Sequence, residues 1–286
     1  MEIFYSDNPQ EIEEEKKKQE CYRHYFPQLM GEKDETQYIL LKNKQTEANT
    51  TENSVNKPKD QRNSKIRKIY NKAKVLGKEA IFAIENPRAA LDIGAGVTHN
   101  ASNISSNASR FATKGSVLSQ TVLNKDMIDE GSETGAFRHT LWQANIASKH
   151  SGEIAVKAGN AHEIAPWTDL NIRRFNQIEN ADQTTDLLNN QIGRAIGNCN
   201  KNKTAKELAL IVLDEFKNNG LYVSEQDEEG IWNIKKKKIS EEKYNRLKDI
   251  FNTLNKYGFT EEEYEKIKKE EKRKAEALQI SWNTMK

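Results

Sequence analysis

The chain of 286 residues has few residues that interrupt secondary structure, with only five prolines and fourteen glycines. This scarcity leaves long stretches free to form helices. Cysteine is scarcer still: Cys21 and Cys199 are too few for a scaffold of several disulfides or for a four-cysteine zinc finger. We therefore expect a mainly α-helical protein whose stability comes from side-chain packing.

Long hydrophobic runs are also absent. No run of about 18 or more consecutive apolar residues occurs, which argues against a membrane-spanning helix. The sequence begins MEIFYSDNPQEIEEEKKK, which lacks the basic segment and apolar run of a secretory signal peptide. We expect synthesis in the cytoplasm without a signal peptide, so that action outside the cell would require a separate secretion machinery.

Neither sign of charge dominates the chain. Its 45 basic and 43 acidic residues give a net charge of +2, and the only strongly basic run is Lys235–Lys238. This balance argues against a nucleic-acid partner. Hydrophobic residues make up 35% of the chain and charged residues 31%, so we expect a modest core.

Composition divides the chain into three predicted regions. Residues 1–64 are polar, with a charged run and a segment almost free of apolar residues, and are predicted to be helical or flexible. Residues 65–200 are predicted to form a helical catalytic domain. Residues 201–286 are predicted to form a C-terminal helical region, which ends in a charged helical segment. A small β-hairpin is expected near residues 220–235, where two β-prone runs flank a polar turn.

Helical periodicity and capping residues predict most of the helices. The segment Leu91–Ser116 is rich in Asn and Ser, which compete with helical hydrogen bonding, and is predicted to be loop-rich. The predicted helices are 65–84, Ser132 or Thr134 to Lys149, Glu153–His162, Asp182 or Thr184 to Ile196, Thr204–Asn218, Glu241–Tyr257 and Glu261–Gln279.

Three of these helices carry polar and ionisable side chains that would be costly to bury without a purpose. His139 and Trp142 share roughly one face of the first helix, and Asp186 and Asn190 are four residues apart on the third. If the helices converge, one pocket would contain Arg138, His139, Trp142, His162, Glu163, Asp186, Asn189, Asn190 and Arg194.

Two kinds of chemistry suit this set. In acid–base hydrolysis, His139 or His162 would transfer protons, and Glu163 or Asp186 would orient an imidazole or activate water. Arg138, Trp142, Asn189, Asn190 and Arg194 would then bind the substrate. Alternatively, a divalent metal would be held by ligands among His139, His162, Glu163 and Asp186.

Structural interpretations of the same residues stay open. The spacing of the histidines matches no standard zinc motif, and the chain lacks His-Glu-x-x-His, Gly-x-Ser-x-Gly and the P-loop. His139 and Trp142 would equally suit a buried core pair. Arg194 would suit a structural ion pair, and His150 is expected to be a surface residue.

The segments GAFRHTLWQANIASKHSGEIAVKAGNAHE and DQTTDLLNNQIGRAIG resemble the pattern of an uncharacterised bacterial domain family. That pattern is Ala-Phe-Arg-His-x-x-Trp, then Ala-His-Glu, then Asp-Leu-x-Asn-Asn-x-x-Gly-Arg-x-Ile-Gly, and the likeness covers residues 85–197. One departure is Gly135, where the family pattern has an acidic or amide residue. Members of the family occur in toxin-like and secreted bacterial proteins.

The resemblance implies a delivered antibacterial effector, carried by a system such as type VI secretion and neutralised by a cognate immunity protein. Together with the polar residues, it favours a hydrolase that attacks phospholipid or peptidoglycan in the envelope of a recipient cell. A non-enzymatic membrane-disrupting toxin and a helical interaction or adaptor protein are the alternatives.

Overall fold

The computed structural model describes residues 61–94, 98, 100–118 and 131–284, together with positions 13, 17, 20, 21 and 24. Its contacts divide the chain into two compact units, Met1–Leu76 and Gly77–Lys286. All the predicted site residues belong to the second unit. Residues 42–60 of the predicted flexible linker 42–64 lie outside the described residues, whereas residues 61–64 are helical. The three predicted regions of the chain stay predictions.

The expected mainly helical fold is confirmed, since 69% of the described residues are helical. A single 3₁₀ turn is described at Lys114–Ser116. The α-helices are α1 (Gln61–Glu85), α2 (Pro87–Ile93), α3 (Ile104–Thr113), α4 (Glu133–Lys149), α5 (Gly152–His162), α6 (Ile178–Cys199), α7 (Ala205–Asn218), α8 (Glu241–Thr253) and α9 (Glu261–Thr284). No helix in these ranges is both long enough and apolar enough to span a membrane.

Side-chain caps fix the starts of the helices that carry the site. Ser132 accepts a hydrogen bond from the third residue of α4 at 3.0 Å, and Ser151 does the same for α5 at 3.1 Å. Helix α7 begins with a capping box in which Thr204 and Glu207 satisfy each other's backbone N–H groups. Such caps satisfy donors that a helix cannot pair internally, so they define where each helix begins.

Helices α4 and α6 cross at very short range because two glycines lie at the crossing. A Cβ atom added at Gly193 would lie 2.2 Å from the carbonyl oxygen of Thr140. A Cβ at Gly197 would lie 2.2 Å from that of Ala144. This close approach brings the polar face of α6 against the polar face of α4.

Apolar side chains anchor α4 in the core of the second unit. Phe137, Leu141 and Ile146 are fully buried on this helix. Ile146 belongs to a cluster that includes Phe82 of α1 and Ala155 of α5. The polar residues of α4 are therefore held on a rigid element rather than on a loop.

A three-stranded antiparallel sheet packs beside α6, with strand order β1–β3–β2. The predicted hairpin corresponds to β2 (Leu221–Gln226) and β3 (Trp232–Lys237). Strand β1 (Arg174–Phe175) was not predicted, because a two-residue strand has no detectable alternation of apolar and polar residues.

Several details of the predicted secondary structure are wrong. Helix α1 starts at Gln61 and not at residue 65, and α8 ends at Thr253 and not at Tyr257. Within the expected loop Leu91–Ser116, α3 forms because Asn103 caps it, accepting from the Ser106 N–H at 2.7 Å. Helix α6 starts at Ile178, earlier than the predicted caps. Asp182 instead accepts from the Gly131 N–H at 2.6 Å, which joins α6 to the segment before α4.

Candidate functional site

Helices α4, α5 and α6 bring three ionisable side chains together. Nε2 of His139 lies 3.3 Å from a carboxylate oxygen of Asp186. One nitrogen or oxygen atom from each of His139, Glu163 and Asp186 lies within 4.8 Å of the corresponding atoms of the other two. The exposed fractions of these residues are only 5%, 6% and 8%, so water screens their charges poorly. We call these three residues the central cluster.

Arg138 lies beside the central cluster. Its Nη2 atom is 3.2 Å from Nε2 of His139, on the same side of the imidazole as Asp186. Nε2 has one coordination position, so it either accepts a hydrogen bond from the guanidinium or carries a proton toward the carboxylate. Nε2 therefore has a suitable partner in either state. Arg138 can donate to it when it carries no proton, and Asp186 can accept from it when it does.

The His139 imidazole is kept in its neutral form. Burial lowers its pKa well below the usual value, and the charges of Arg138 and His162 lower it further. The Asn190 side chain acts in the opposite direction, because it favours the protonated imidazole. Near neutral pH, His139 is thus a base or a ligand rather than a cation.

Glu163 has the most unusual carboxyl group of the site. Burial raises its pKa to about 7, although His162, Lys78 and Arg138 favour the ionised form. Its Oε1 atom is buried and has no hydrogen-bond partner among the described residues. A buried oxygen without a partner is costly, so its presence indicates a role beyond packing.

Asn190 adds a second unsatisfied polar group beside His139. The residue is fully buried, and neither polar atom of its amide makes a well-formed hydrogen bond within the described part of the chain, although the amide lies close enough to the His139 imidazole to favour its protonated form. Asn190 and Asp186 lie four residues apart on α6, as the sequence predicted, so both project toward α4.

His162 lies at the rim of the site, next to the central cluster but outside it. Its ring centroid is 6.1 Å from that of His139, and its side chain is 49% exposed. Nδ1 of His162 lies 2.9 Å from a carboxylate oxygen of Glu79, whose hydrogen bond raises the pKa of His162. The structure therefore brings His162 near the site but places it among different partners.

Lys78 and Glu79 are site residues that the sequence analysis missed. Both belong to α1, which the apolar periodicity revealed without any indication of chemistry. The Lys78 ammonium donates to the carbonyl oxygens of Glu163 and Ile164, the latter at 3.2 Å. A cation at these carbonyls stabilises the end of α5 and fixes the position of Glu163.

Trp142 forms part of the wall of the site. Its indole N–H donates to the hydroxyl of Ser105 at 3.2 Å. Its ring centroid lies 6.4 Å from that of His139 and 5.5 Å from that of His162. These contacts hold both imidazoles in place, so Trp142 positions the histidines whether or not it also touches a substrate.

The side chains of Asn189 and Arg194 bind residues outside the central cluster. The Asn189 amide exchanges two hydrogen bonds of 2.9 Å with the backbone of Tyr222, which joins α6 to the sheet. Arg194 donates to the side-chain oxygen of Gln143 at 3.3 Å, and burial lowers the pKa of Arg194 to about 10. The structure brings neither residue into the central cluster.

His150 stands apart from the site. Its Nε2 atom lies 3.1 Å from a carboxylate oxygen of Asp92, which also pairs with Lys149 at 2.9 Å. The expectation of a surface position is only partly met, since its side chain is 14% exposed.

Comparison with known proteins identifies one domain. A family model described as a domain of unknown function (DUF6973) matches residues 98–220. No curated protein and no solved structure matches the chain. The matched segment contains the central cluster, whereas Lys78 and Glu79 lie before it. The comparison therefore assigns residues 98–220 to a domain of unknown function and identifies no toxin family.

Proposed function

We propose that this chain is a hydrolase and that its catalytic residues are those of the central cluster. The observation that carries the proposal is the convergence of His139, Glu163 and Asp186 in a buried site, beside an arginine. A neutral imidazole, two carboxyl groups and a guanidinium suffice to activate water and to bind an anionic group.

The geometry supports a role for each residue. If Nε2–H of His139 points toward Asp186, the second ring nitrogen is free to accept a proton from an attacking water. The Asp186 carboxylate would stabilise the imidazolium that forms. Arg138 would bind the developing negative charge of the substrate. Glu163, with a pKa of about 7, would donate a proton to the leaving group or coordinate a metal.

An exposed apolar segment next to the site favours phospholipid as the substrate. Ile164, Trp167 and Ile172 follow Glu163 in the chain and are 36%, 60% and 46% exposed. The Lys78 ammonium lies 5.7 Å from the centre of the Trp167 ring. Exposed tryptophan and isoleucine beside a cation are typical of surfaces that contact lipid headgroups. We therefore favour phospholipid over peptidoglycan.

The proposal includes delivery and antibacterial action. A secretion machinery, such as type VI, would carry the protein from the producer's cytoplasm to the envelope of a recipient cell. A cognate immunity protein would protect the producer. These features are supported by the resemblance of the motif region to domains of toxin-like and secreted bacterial proteins.

Expression in the periplasm of a bacterial host tests the proposed function. The full chain is expected to kill or lyse the cells, and His139→Ala or Asp186→Ala should abolish toxicity while the purified variants keep their helical circular dichroism. If both variants remain fully toxic, the hydrolase proposal fails. Dye leakage from vesicles that persists in the His139→Ala variant would instead support the non-enzymatic, membrane-disrupting alternative.

A further inference from the structure

We propose that His139, Glu163 and Asp186 form a binding site for a first-row divalent cation, Zn²⁺ or Mn²⁺. The inference concerns the site of the proposed hydrolase, and its catalytic meaning rests on that proposed function. The binding site itself is argued only from the arrangement of the side chains.

The distance between His139 and Asp186 is compatible with coordination of one ion by both groups. Charge-assisted N–H···O bonds are typically about 2.7–2.9 Å long, whereas Nε2 and the carboxylate oxygen are 3.3 Å apart. Metal–ligand bonds of about 2.0–2.2 Å in tetrahedral geometry place neighbouring ligand atoms roughly 3.4 Å apart. The observed distance is close to that separation, so both groups could bind one ion without a large rearrangement.

Two unsatisfied groups point to the same conclusion. Oε1 of Glu163 is buried without a hydrogen-bond partner in the described ranges, and the buried amide of Asn190 makes no well-formed hydrogen bond there. A cation would satisfy the carboxylate oxygen directly. Metal-binding sites commonly have amide and carboxylate groups just outside the ligands, where they orient them. Asn190 is placed for that role, because it lies next to the His139 imidazole.

The donor set selects the kind of metal. One imidazole and two carboxylates form a mixed nitrogen and oxygen set, which suits Zn²⁺ and Mn²⁺ better than the all-oxygen surroundings preferred by Ca²⁺ and Mg²⁺. Two ionised carboxylates also balance the charge of a divalent ion. Three protein ligands leave a position open for water, as in catalytic rather than structural metal sites.

Arg138 is the competing cation of this site. Its guanidinium lies 3.2 Å from Nε2 of His139, where a bound metal would also be attracted. Arg138 is half-buried, whereas His139 and Asp186 are buried on helices that cross at short range and Glu163 is buried directly after α5. A bound metal would have to displace the Arg138 guanidinium from Nε2 of His139.

Calorimetric titration of the chelator-treated full chain with Zn²⁺ or Mn²⁺ tests the inference. Binding of one ion per chain is expected. Glu163→Gln and Asp186→Asn should each weaken it by about 100-fold or more, beyond the roughly 10–100-fold effect of losing an outer-shell partner. The matched controls are Glu153→Gln, at an exposed position of α5, and Asp92→Asn, which pairs with Lys149 and His150. Both controls should bind as the natural sequence does.

A second measurement keeps the test independent of protein stability. The electron paramagnetic resonance spectrum of bound Mn²⁺ should show coupling to an imidazole nitrogen, and His139→Gln should remove it. Failure of both metals to bind at millimolar concentration, or unchanged binding in the Glu163 and Asp186 variants, would overturn the cation site. Hydrolysis that persists in a chelator without metal binding would also overturn it, while leaving the proposed hydrolase in place.

Discussion

Glu163 is the residue at which burial and charge conflict most strongly. It is almost completely buried, yet Lys78, His162 and Arg138 all favour its ionised form. Burial has the larger effect, because its pKa rises to about 7 from an ordinary value of 4.5. Such a group destabilises the fold whenever it is ionised, which is acceptable at a site that needs a reactive carboxyl group.

Replacing this carboxyl group should change how stability depends on pH. Between pH 4.5 and about 7, folded Glu163 holds a proton that the unfolded chain has released, so stability falls as the pH rises through this window. Glu163→Gln removes that loss. In a buffer with chelator, the variant should gain about 3 kcal/mol in relative stability between pH 4.5 and pH 8. The free energy of unfolding of both proteins can be measured by urea unfolding. A difference between them that does not change with pH over this range would contradict the prediction.

The sequence could predict part of the site at the level of single residues. The sequence indicated His139, His162, Glu163 and Asp186 alike, because ionisable side chains on neighbouring amphipathic helices are expensive to bury, and it could not separate His162 from the three that the structure brings together. Lys78 and Glu79 were not indicated, because lysine and glutamate are the residues most often found on exposed helix faces. Their contacts with Glu163 and His162 depend on tertiary packing of α1, which no local pattern encodes.

The crossing of α4 and α6 is the element-level feature on which the site depends. Gly193 and Gly197 lie at this crossing, and the group that approaches them most closely is the backbone of α4. The prediction of a loop where α3 forms was wrong because it considered only the helix propensity of single residues. Asn and Ser are poor helix formers in isolation, but Asn103 caps the helix and buried Phe111 anchors it.

Gly193→Ala should be strongly destabilising, although alanine is normally the better helix former by about 1 kcal/mol. The new methyl group would lie 2.2 Å from the Thr140 carbonyl oxygen, so the helices must separate. We expect a loss of about 2–4 kcal/mol, comparable with other overpacked cores. Gly77→Ala in α1 is the matched control, because nothing lies within 4 Å of its added Cβ, and it should be neutral or stabilising. Equal thermal shifts for the two variants would show that the crossing tolerates separation.

At the level of the whole molecule, the buried cluster and the exposed apolar segment after Glu163 are joined by one short stretch of chain. This connection supports the proposed action at a lipid surface, because the segment that would contact lipid is continuous with a residue of the candidate site. The fold class was predictable from the scarcity of proline and glycine. The sheet's third strand and the contact of α1 with the site were not, because both arise from long-range packing.

The most direct test of the central claim is the release of hydrolysis products from phospholipid vesicles by the purified full chain. The natural sequence should release them, and His139→Gln should lose activity by about 100-fold or more, as expected for loss of an acid–base group or metal ligand. His150→Gln is the matched control on the same segment, and should keep full activity because His150 pairs with Asp92 outside the site. Equal activity of the two variants would contradict the account. Activity toward peptidoglycan but not toward phospholipid would contradict the proposed preference for phospholipid.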